Sequence, residues 1–264
     1  MAERSESESD PETPTEPGQP AARGPVRPLV IGHRGASAAR PENTVEAFRH
    51  AAELGADWVE LDVRRTADHA LVVHHDAVLP DGRVIVDLAR AELPDSVATL
   101  VAALDACAGM GVNVEIKNDP SDPDFDPQDR LAEAVADLLV DRAARPDLSN
   151  RADLADILVT SFNPRTIDVV HTRAPSIPTG LLVFDLADPA AAIARAVGGG
   201  HVSINPWDPF VDRALIEQVR RAGLLIYPWT VDDPARMQAL LDLGVDGIIT
   251  NVPDVARAMV DSRS

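Results

Sequence analysis

The stretch Glu53-Leu54-Gly55-Ala56-Asp57-Trp58-Val59 decides the fold, because in it a helical segment ends on a glycine and an extended run begins at once. Glycine tolerates the left-handed backbone that closes a helix, and Trp58-Val59 opens a run suited to a pleated strand. The same unit returns three times. Gly109-Met110-Gly111 precedes Val112-Asn113-Val114, Arg221-Ala222-Gly223 precedes Leu224-Leu225-Ile226, and Asp242-Leu243-Gly244 precedes Gly247-Ile248-Ile249. Short helix-to-strand turns repeated in this way specify successive βα units and a parallel sheet.

Outward from these turns, strand-type runs fall at about 29–33, 58–63, 112–117, 157–161, 179–184, 201–205, 224–230 and 247–250. Eight strands alternating with helices match a closed (β/α)₈ TIM-type barrel. Leu71-Val72-Val73-His74 reads as an additional strand in a short insertion after the second one. An open doubly wound sheet is the alternative, but no glycine-rich dinucleotide fingerprint supports it. The first helix is expected over Thr44 to Leu54, with Asn43 as its N-cap and Glu46 completing a capping box.

Composition narrows the class. A formal charge of -19 argues against nucleic acid or an anionic membrane as partner, since both are polyanions. The single cysteine, Cys107, cannot form an internal disulfide and lies in an Ala-rich helical stretch, so it reads as a small core residue in a reducing compartment. No apolar run is long enough to span a bilayer and the N-terminus lacks a secretory pattern, so a cytoplasmic location is expected. Residues 1–26 are rich in Ser, Glu and Pro, which predicts a disordered acidic tail ahead of a barrel domain over 27–264. Nothing in the sequence sets an oligomeric state.

Barrel active sites occupy the C-terminal ends of the strands. Those ends carry His33 and Arg34, Glu60 and Asp62, Glu115 and Lys117, Ser161, Asn205, Trp229 and Asn251; strand five, ending near Phe184-Asp185, says least. Glu60 and Asp62 are two residues apart and share a strand face, as do Glu115 and Lys117. Three carboxylates converging in one mouth require a cation, a raised pKa or wider separation. An all-oxygen donor set favours Mg²⁺, Ca²⁺ or Mn²⁺ over zinc. Solvated strand faces for the acids, and an interior ion pair for Glu115 and Lys117, are the plainer alternatives. Alternation from Leu71 and Val73 points His75, not His74, toward the site, with Asp76 beside it to orient the ring. His50, His69, His171 and His201 have no such company and read as surface or structural. Two histidines, a hard cation, Arg34 and Lys117 suit displacement at phosphorus in a diester, with one ring as base and the other as acid.

The motifs His33-Arg34-Gly35, Pro41-Glu42-Asn43-Thr44, Glu60-Leu61-Asp62-Val63, His75-Asp76, Glu115-Ile116-Lys117, Trp229-Thr230-Val231 and Asp246-Gly247-Ile248-Ile249-Thr250-Asn251 resemble those of the glycerophosphodiester phosphodiesterases, in the same order. The resemblance implies metal-dependent hydrolysis of a glycerophosphodiester, a small-molecule substrate, to sn-glycerol 3-phosphate and an alcohol through a cyclic phosphate. It implies that Glu60, Asp62 and Glu115 hold the metal and that His33 and His75 are the acid–base pair. It further implies that Arg34 and Lys117 bind phosphate and that Trp229 packs on the glycerol, a buried rim aromatic being the plainer reading of Trp229. After His75-Asp76 the chain departs from the family's usual long insertion: Ala77 to Arg83 leads almost directly to the next helix. A short cap, built around a turn at Asp81-Gly82, and an open site follow. The competing readings are a lysophospholipase D or sphingomyelinase D-like enzyme on the same scaffold, a non-catalytic barrel that binds a phosphorylated ligand, and an unrelated barrel enzyme using Lys117 as a Schiff base. The absence of an aromatic-rich stretch counts against the lipid reading.

Overall fold

Alternation along the strands sorts the chain into an apolar outer layer and a mixed interior. In the second strand, Val59, Leu61 and Val63 join the cluster under the helices, while Glu60 and Asp62 between them belong to no apolar cluster. The computed structural model describes residues 27–144 and 156–263; the tail assigned to 1–26 lies outside them. The elements run β1 (Leu29–Gly32), α1 (Val45–Glu53), β2 (Trp58–Arg65), β3 (Leu71–Val73), α2 (Leu100–Ala106), β4 (Gly111–Ile116), α3 (Arg130–Ala143) and β5 (Ile157–Ser161). They continue with α4 (Pro164–Arg173), β6 (Thr179–Val183), α5 (Pro189–Gly198), β7 (Ser203–Pro206), α6 (Arg213–Arg221), β8 (Leu225–Ile226), α7 (Pro234–Leu243), β9 (Gly247–Thr250) and α8 (Pro253–Asp261).

The sheet order is β8-β7-β6-β5-β4-β2-β1-β9, all parallel, with β3 antiparallel on β2. Three backbone bonds close the seam between β8 and β9: Asp246 N to Ile226 O, Ile249 N to Pro228 O and Val231 N to Ile249 O, at 3.2, 3.0 and 2.9 Å. The result is the expected eight-stranded barrel. The last strand before the seam is shorter than expected, because Pro228 has no N–H for the ladder. The glycine turns behave as read: Gly55, Gly109, Gly223 and Gly244 all take positive φ.

The apolar residues divide into two large clusters outside the barrel, one under the first helices and one under the last. Cys107 lies fully inside the first of these, and burial pushes its thiol up to about 12. Ile31, Leu158, Tyr227 and Ile249 form a separate cluster with Trp58 packed against it. Gly111 is the position where Trp58 needs room, since a Cβ there would come within 2.1 Å of its indole. The insertion after β3 is as short as expected. Gly82 N donates to Leu79 O, Val78 pairs with Val84, and Leu79, Ile85, Leu93 and Val97 pack on Val72.

One local expectation is corrected. The N-cap of α1 is Thr44, whose hydroxyl accepts from Ala47 N at 3.1 Å, and not Asn43. Asn43 instead takes a left-handed backbone (φ 58°), and its side chain turns into the barrel.

Candidate active site

The mouth of the barrel holds a cavity of about 170 Å³ lined by His33, Arg34, Glu60, His75, Glu115, Lys117, Phe162 and Trp229, among others. From the insertion only His75 reaches it. Each acid of the expected trio is buried, and Glu60, Asp62 and Glu115 place oxygens within 4.8 Å of one another. The register explains the convergence: Asp62 on β2 sits directly beside Glu115 on β4.

Lys117 Nζ lies 2.9 Å from Asp62 Oδ1 and 2.5 Å from Glu115 Oε1, so the Glu115–Lys117 ion pair is present and extends to Asp62 on β2. Burial would raise Asp62, but Lys117 and Arg34 outweigh it and hold this carboxyl well below the usual range. Burial would likewise neutralise Lys117, yet Glu115 and Asp62 keep it charged. Glu60 goes the other way. Its desolvation, then the charges of Asp62 and Glu115, push it well above the ordinary carboxylate range. Glu115 is raised chiefly by burial, with Lys117 opposing. Glu60 Oε1 accepts no hydrogen bond, while Oε2 accepts from Arg34 N at 2.9 Å. A buried carboxylate with an orphaned oxygen, facing two others, fits a hard divalent cation.

The histidines are held so that one nitrogen of each is committed. Asp232 can only accept, so the Asn251 amide directs its NH₂ to Asp232 Oδ2 (2.6 Å) and its Oδ1 to His33 Nδ1 (2.7 Å). His33 therefore carries its proton on Nδ1 and turns Nε2 inward, 4.0 Å from Glu60 Oε2. His75 Nδ1 bonds Asp76 Oδ1 at 2.6 Å, which again leaves Nε2 free. His74 bonds the Asp76 carbonyl instead, as the alternation required. Both rings have lowered pKa values: burial and then Arg34 act on His33, burial and then Lys117 on His75.

Arg34 sits in a left-handed turn (φ 56°) that Gly35 (φ 84°) continues; a Cβ on Gly35 would lie 2.6 Å from the Ala47 carbonyl carbon. Its guanidinium bonds both oxygens of Glu42 at 2.9 and 3.0 Å and lies 3.3 Å from Asp62. Trp229 donates Nε1 to Asn205 O at 2.8 Å, and its ring meets Phe162 edge-on at 5.4 Å. Ser161 bonds the Ile116 carbonyl and Asn205 is buried in the interior, so neither offers a reacting group. Of the other histidines, His50 pairs with Glu53, His69 meets Arg65, and His201 is buried against Thr179.

Sequence reasoning missed two positioning residues. Asn43 Nδ2 donates to Asp62 Oδ2 at 2.7 Å and fixes that carboxylate. Arg64 Nε and Nη2 hold the His75 carbonyl at 2.8 and 2.6 Å, while Nη1 grips Asp124. An arginine next to an acidic strand motif gives no local sign of such a reach.

Residues 33–255 match the glycerophosphoryl diester phosphodiesterase family. A glycerophosphodiester phosphodiesterase of Caldanaerobacter subterraneus subsp. tengcongensis is 30% identical, with 87% of this chain and 96% of that one covered. Among solved structures, an Oleispira antarctica phosphodiesterase in complex with the product sn-glycerol-3-phosphate superposes with a TM-score of 0.75 at 26% identity, covering 89% of this chain and 97% of that one. A glycerophosphodiester phosphodiesterase from Thermotoga maritima gives 0.69 at 25% identity, covering 88% and 98%.

Proposed function

This chain belongs to the glycerophosphoryl diester phosphodiesterase family, and we propose that it hydrolyses glycerophosphodiesters to sn-glycerol 3-phosphate and an alcohol with a divalent cation and two histidines. The observation that carries the reading is the pairing of three buried, mutually facing carboxylates with two imidazoles whose Nε2 atoms are free. The coverage of nearly the whole length of enzymes named for this activity supports the reaction class.

Glu60, Asp62 and Glu115 would hold the cation, whose oxygen-only donors suit Mg²⁺, Ca²⁺ or Mn²⁺. A bound divalent cation supplies positive charge opposite the oxygens of the pentavalent transition state. Arg34 and Lys117 would add to that charge from fixed positions, each already anchored to an acid of the trio. In the first step one imidazole Nε2 takes the proton of the substrate hydroxyl adjacent to the phosphate. That oxygen bonds to phosphorus, the bond to the leaving alcohol breaks, and the second ring protonates the departing alkoxide. Water then opens the cyclic phosphate with the ring roles reversed. An anionic diester between the rings favours the protonated form of an adjacent imidazole, which helps to supply the acid of the first step. Trp229, held by its indole N–H, would pack against the glycerol.

Glycerol 3-phosphate release from glycerophosphocholine, measured with chelator and then with added Mg²⁺, Ca²⁺ or Mn²⁺, tests this. Release should require the cation and fall by about 10²–10⁴ in each of His33→Ala and His75→Ala. Release that survives chelation, or cleavage at an equal rate of a diester lacking the neighbouring hydroxyl, would overturn the mechanism.

A further inference from the structure

Low aromatic content hides a concentration. Five aromatic residues drawn from successive strand ends meet at one side of the mouth: Phe162, Phe184, Trp207, Phe210 and Trp229. Their contacts form a continuous ladder. Phe162 meets Trp229 edge-on at 5.4 Å, Trp229 meets Phe184 at 6.2 Å, Phe184 stacks on Trp207 at 4.8 Å, and Trp207 meets Phe210 at 5.8 Å. The inner end lines the catalytic cavity through Phe162 and Trp229, while the outer end stands in solvent, with Phe184 56% and Phe210 39% exposed. The backbone fixes the arrangement: Trp207 bridges Trp229, and Asp208 N donates to Trp229 O at 2.8 Å.

From this we infer that the ladder is a subsite for a single hydrocarbon chain carried on the glycerol side of the substrate, so that monoacyl glycerophosphodiesters are turned over as well as the deacylated ones. The inference rests on the phosphodiesterase reading above, in which Trp229 lies against the glycerol. A chain on the glycerol's far hydroxyl then leaves the cavity past Trp229 and meets Phe184 next. Two features select a chain over a quaternary ammonium group. A cation needs ring faces turned toward a common centre, but here Phe184 and Trp207 lie parallel within 6° and spend their faces on each other. The exposed surface is a strip of edges and outer faces, which fits an extended apolar chain. The strip is accessible at its outer end, where Phe184 and Phe210 are exposed, and from the insertion only His75 enters the cavity. The chemistry is unchanged: the free hydroxyl beside the phosphate attacks, the alcohol leaves with a proton, and water completes the hydrolysis to a monoacylglycerol 3-phosphate.

The test uses the full chain with Mg²⁺ and a choline diester series bearing no chain, butanoyl, hexanoyl or octanoyl, below their micellar concentrations. KM should fall by about three- to tenfold for each two methylenes added. A double variant, Phe184→Ala with Phe210→Ala, should flatten that trend and leave glycerophosphocholine turnover within about twofold; the paired Leu variants should keep it. A wild-type KM independent of chain length, or a trend that persists in the Ala variant, overturns the subsite. So does an Ala variant whose loss falls on glycerophosphocholine and spares glycerophosphoglycerol, since the ladder would then read the leaving alcohol. Binding of octanoylglycerol 3-phosphate against glycerol 3-phosphate, followed by tryptophan fluorescence, separates the two readings. Chain-dependent binding without turnover of any diester would sink the phosphodiesterase reading and keep the subsite. Equal binding of both sinks the subsite.

Discussion

Replacing Glu60 by glutamine should stabilise the cation-free protein and abolish most of its response to a divalent ion. Glu60, Asp62 and Glu115 bring oxygens within 4.8 Å of one another. At that separation two full negative charges repel by about 3.5 kcal/mol at an effective dielectric of about 20. Lys117 relieves Asp62 and Glu115 directly, at 2.9 and 2.5 Å, whereas Glu60 Oε1 has no partner. Glu60 therefore answers by retaining its proton above the usual range. The folded state holds a proton that the unfolded chain has released, so wild-type stability falls as pH rises from the unfolded carboxyl value toward the raised folded one. Glu60→Gln keeps the shape, lacks the charge and loses this slope. With cation at a hundredfold excess over Kd, the wild type should gain about 2.7 kcal/mol, a rise in Tm of about 5–10 °C for a chain of this size. The variant should gain half of that or less. Thermal unfolding in chelator at pH 6 and pH 8, repeated with Mg²⁺, Ca²⁺ and Mn²⁺, measures all of these. A variant less stable than wild type in chelator at both pH values, or one with the full cation-dependent shift, would refute the reasoning.

Two further perturbations probe what positions the histidines and Arg34. Gly35→Ala must place a Cβ at positive φ and 2.6 Å from the Ala47 backbone. It should cost about 2–4 kcal/mol in urea unfolding, and an unchanged midpoint would mean that the loop moves freely. Asp76→Asn removes the carboxylate that accepts from His75 Nδ1 and raises its pKa. Sharing of the ring proton then weakens, so the limb of the kcat/KM profile that His75 sets should move to lower pH, the alkaline limb if this ring is the acid and the acidic limb if it is the base; a profile that stays in place would show that Asp76 orients the ring without tuning it.

Much of the barrel was legible because its glycine turns are local. Gly55, Gly109, Gly223 and Gly244 each announce a helix end within a few residues, and each takes the left-handed backbone that the reading requires. The acidic trio was legible for a similar reason, since residues two apart on a strand share a face whatever the rest of the fold does. What escaped is what depends on packing between distant segments. Asn43 and Thr44 are both good caps, and only the proximity of Asp62 diverts Asn43 into the barrel. Arg64 reaches the His75 carbonyl from the far end of β2, toward a loop that no spacing rule connects to it. The aromatic ladder gathers rings from positions 162 to 229, so a search for an aromatic-rich stretch finds nothing. β8 ended early because one proline removed one donor, an effect read correctly only once the seam is seen.

The pairing of the first strand with the last carries a consequence for how the enzyme comes into being. His33 stands at the end of the first strand and is gripped by Asn251, 218 positions later, just beyond the last strand. Between them lies every other functional group of the mouth. Arg27 and Asp261, near the two ends of the described barrel, touch at 2.7 Å. The imidazole at position 33 thus has no fixed orientation on a growing chain until β9 has been synthesised and has paired with β1. A nascent or truncated barrel would already possess the acids of β2 and β4, which are neighbours early, while lacking a competent imidazole. Completion is written into the site itself: the chain can gather charge before it is whole, but it can orient its first histidine only when its last strand has arrived.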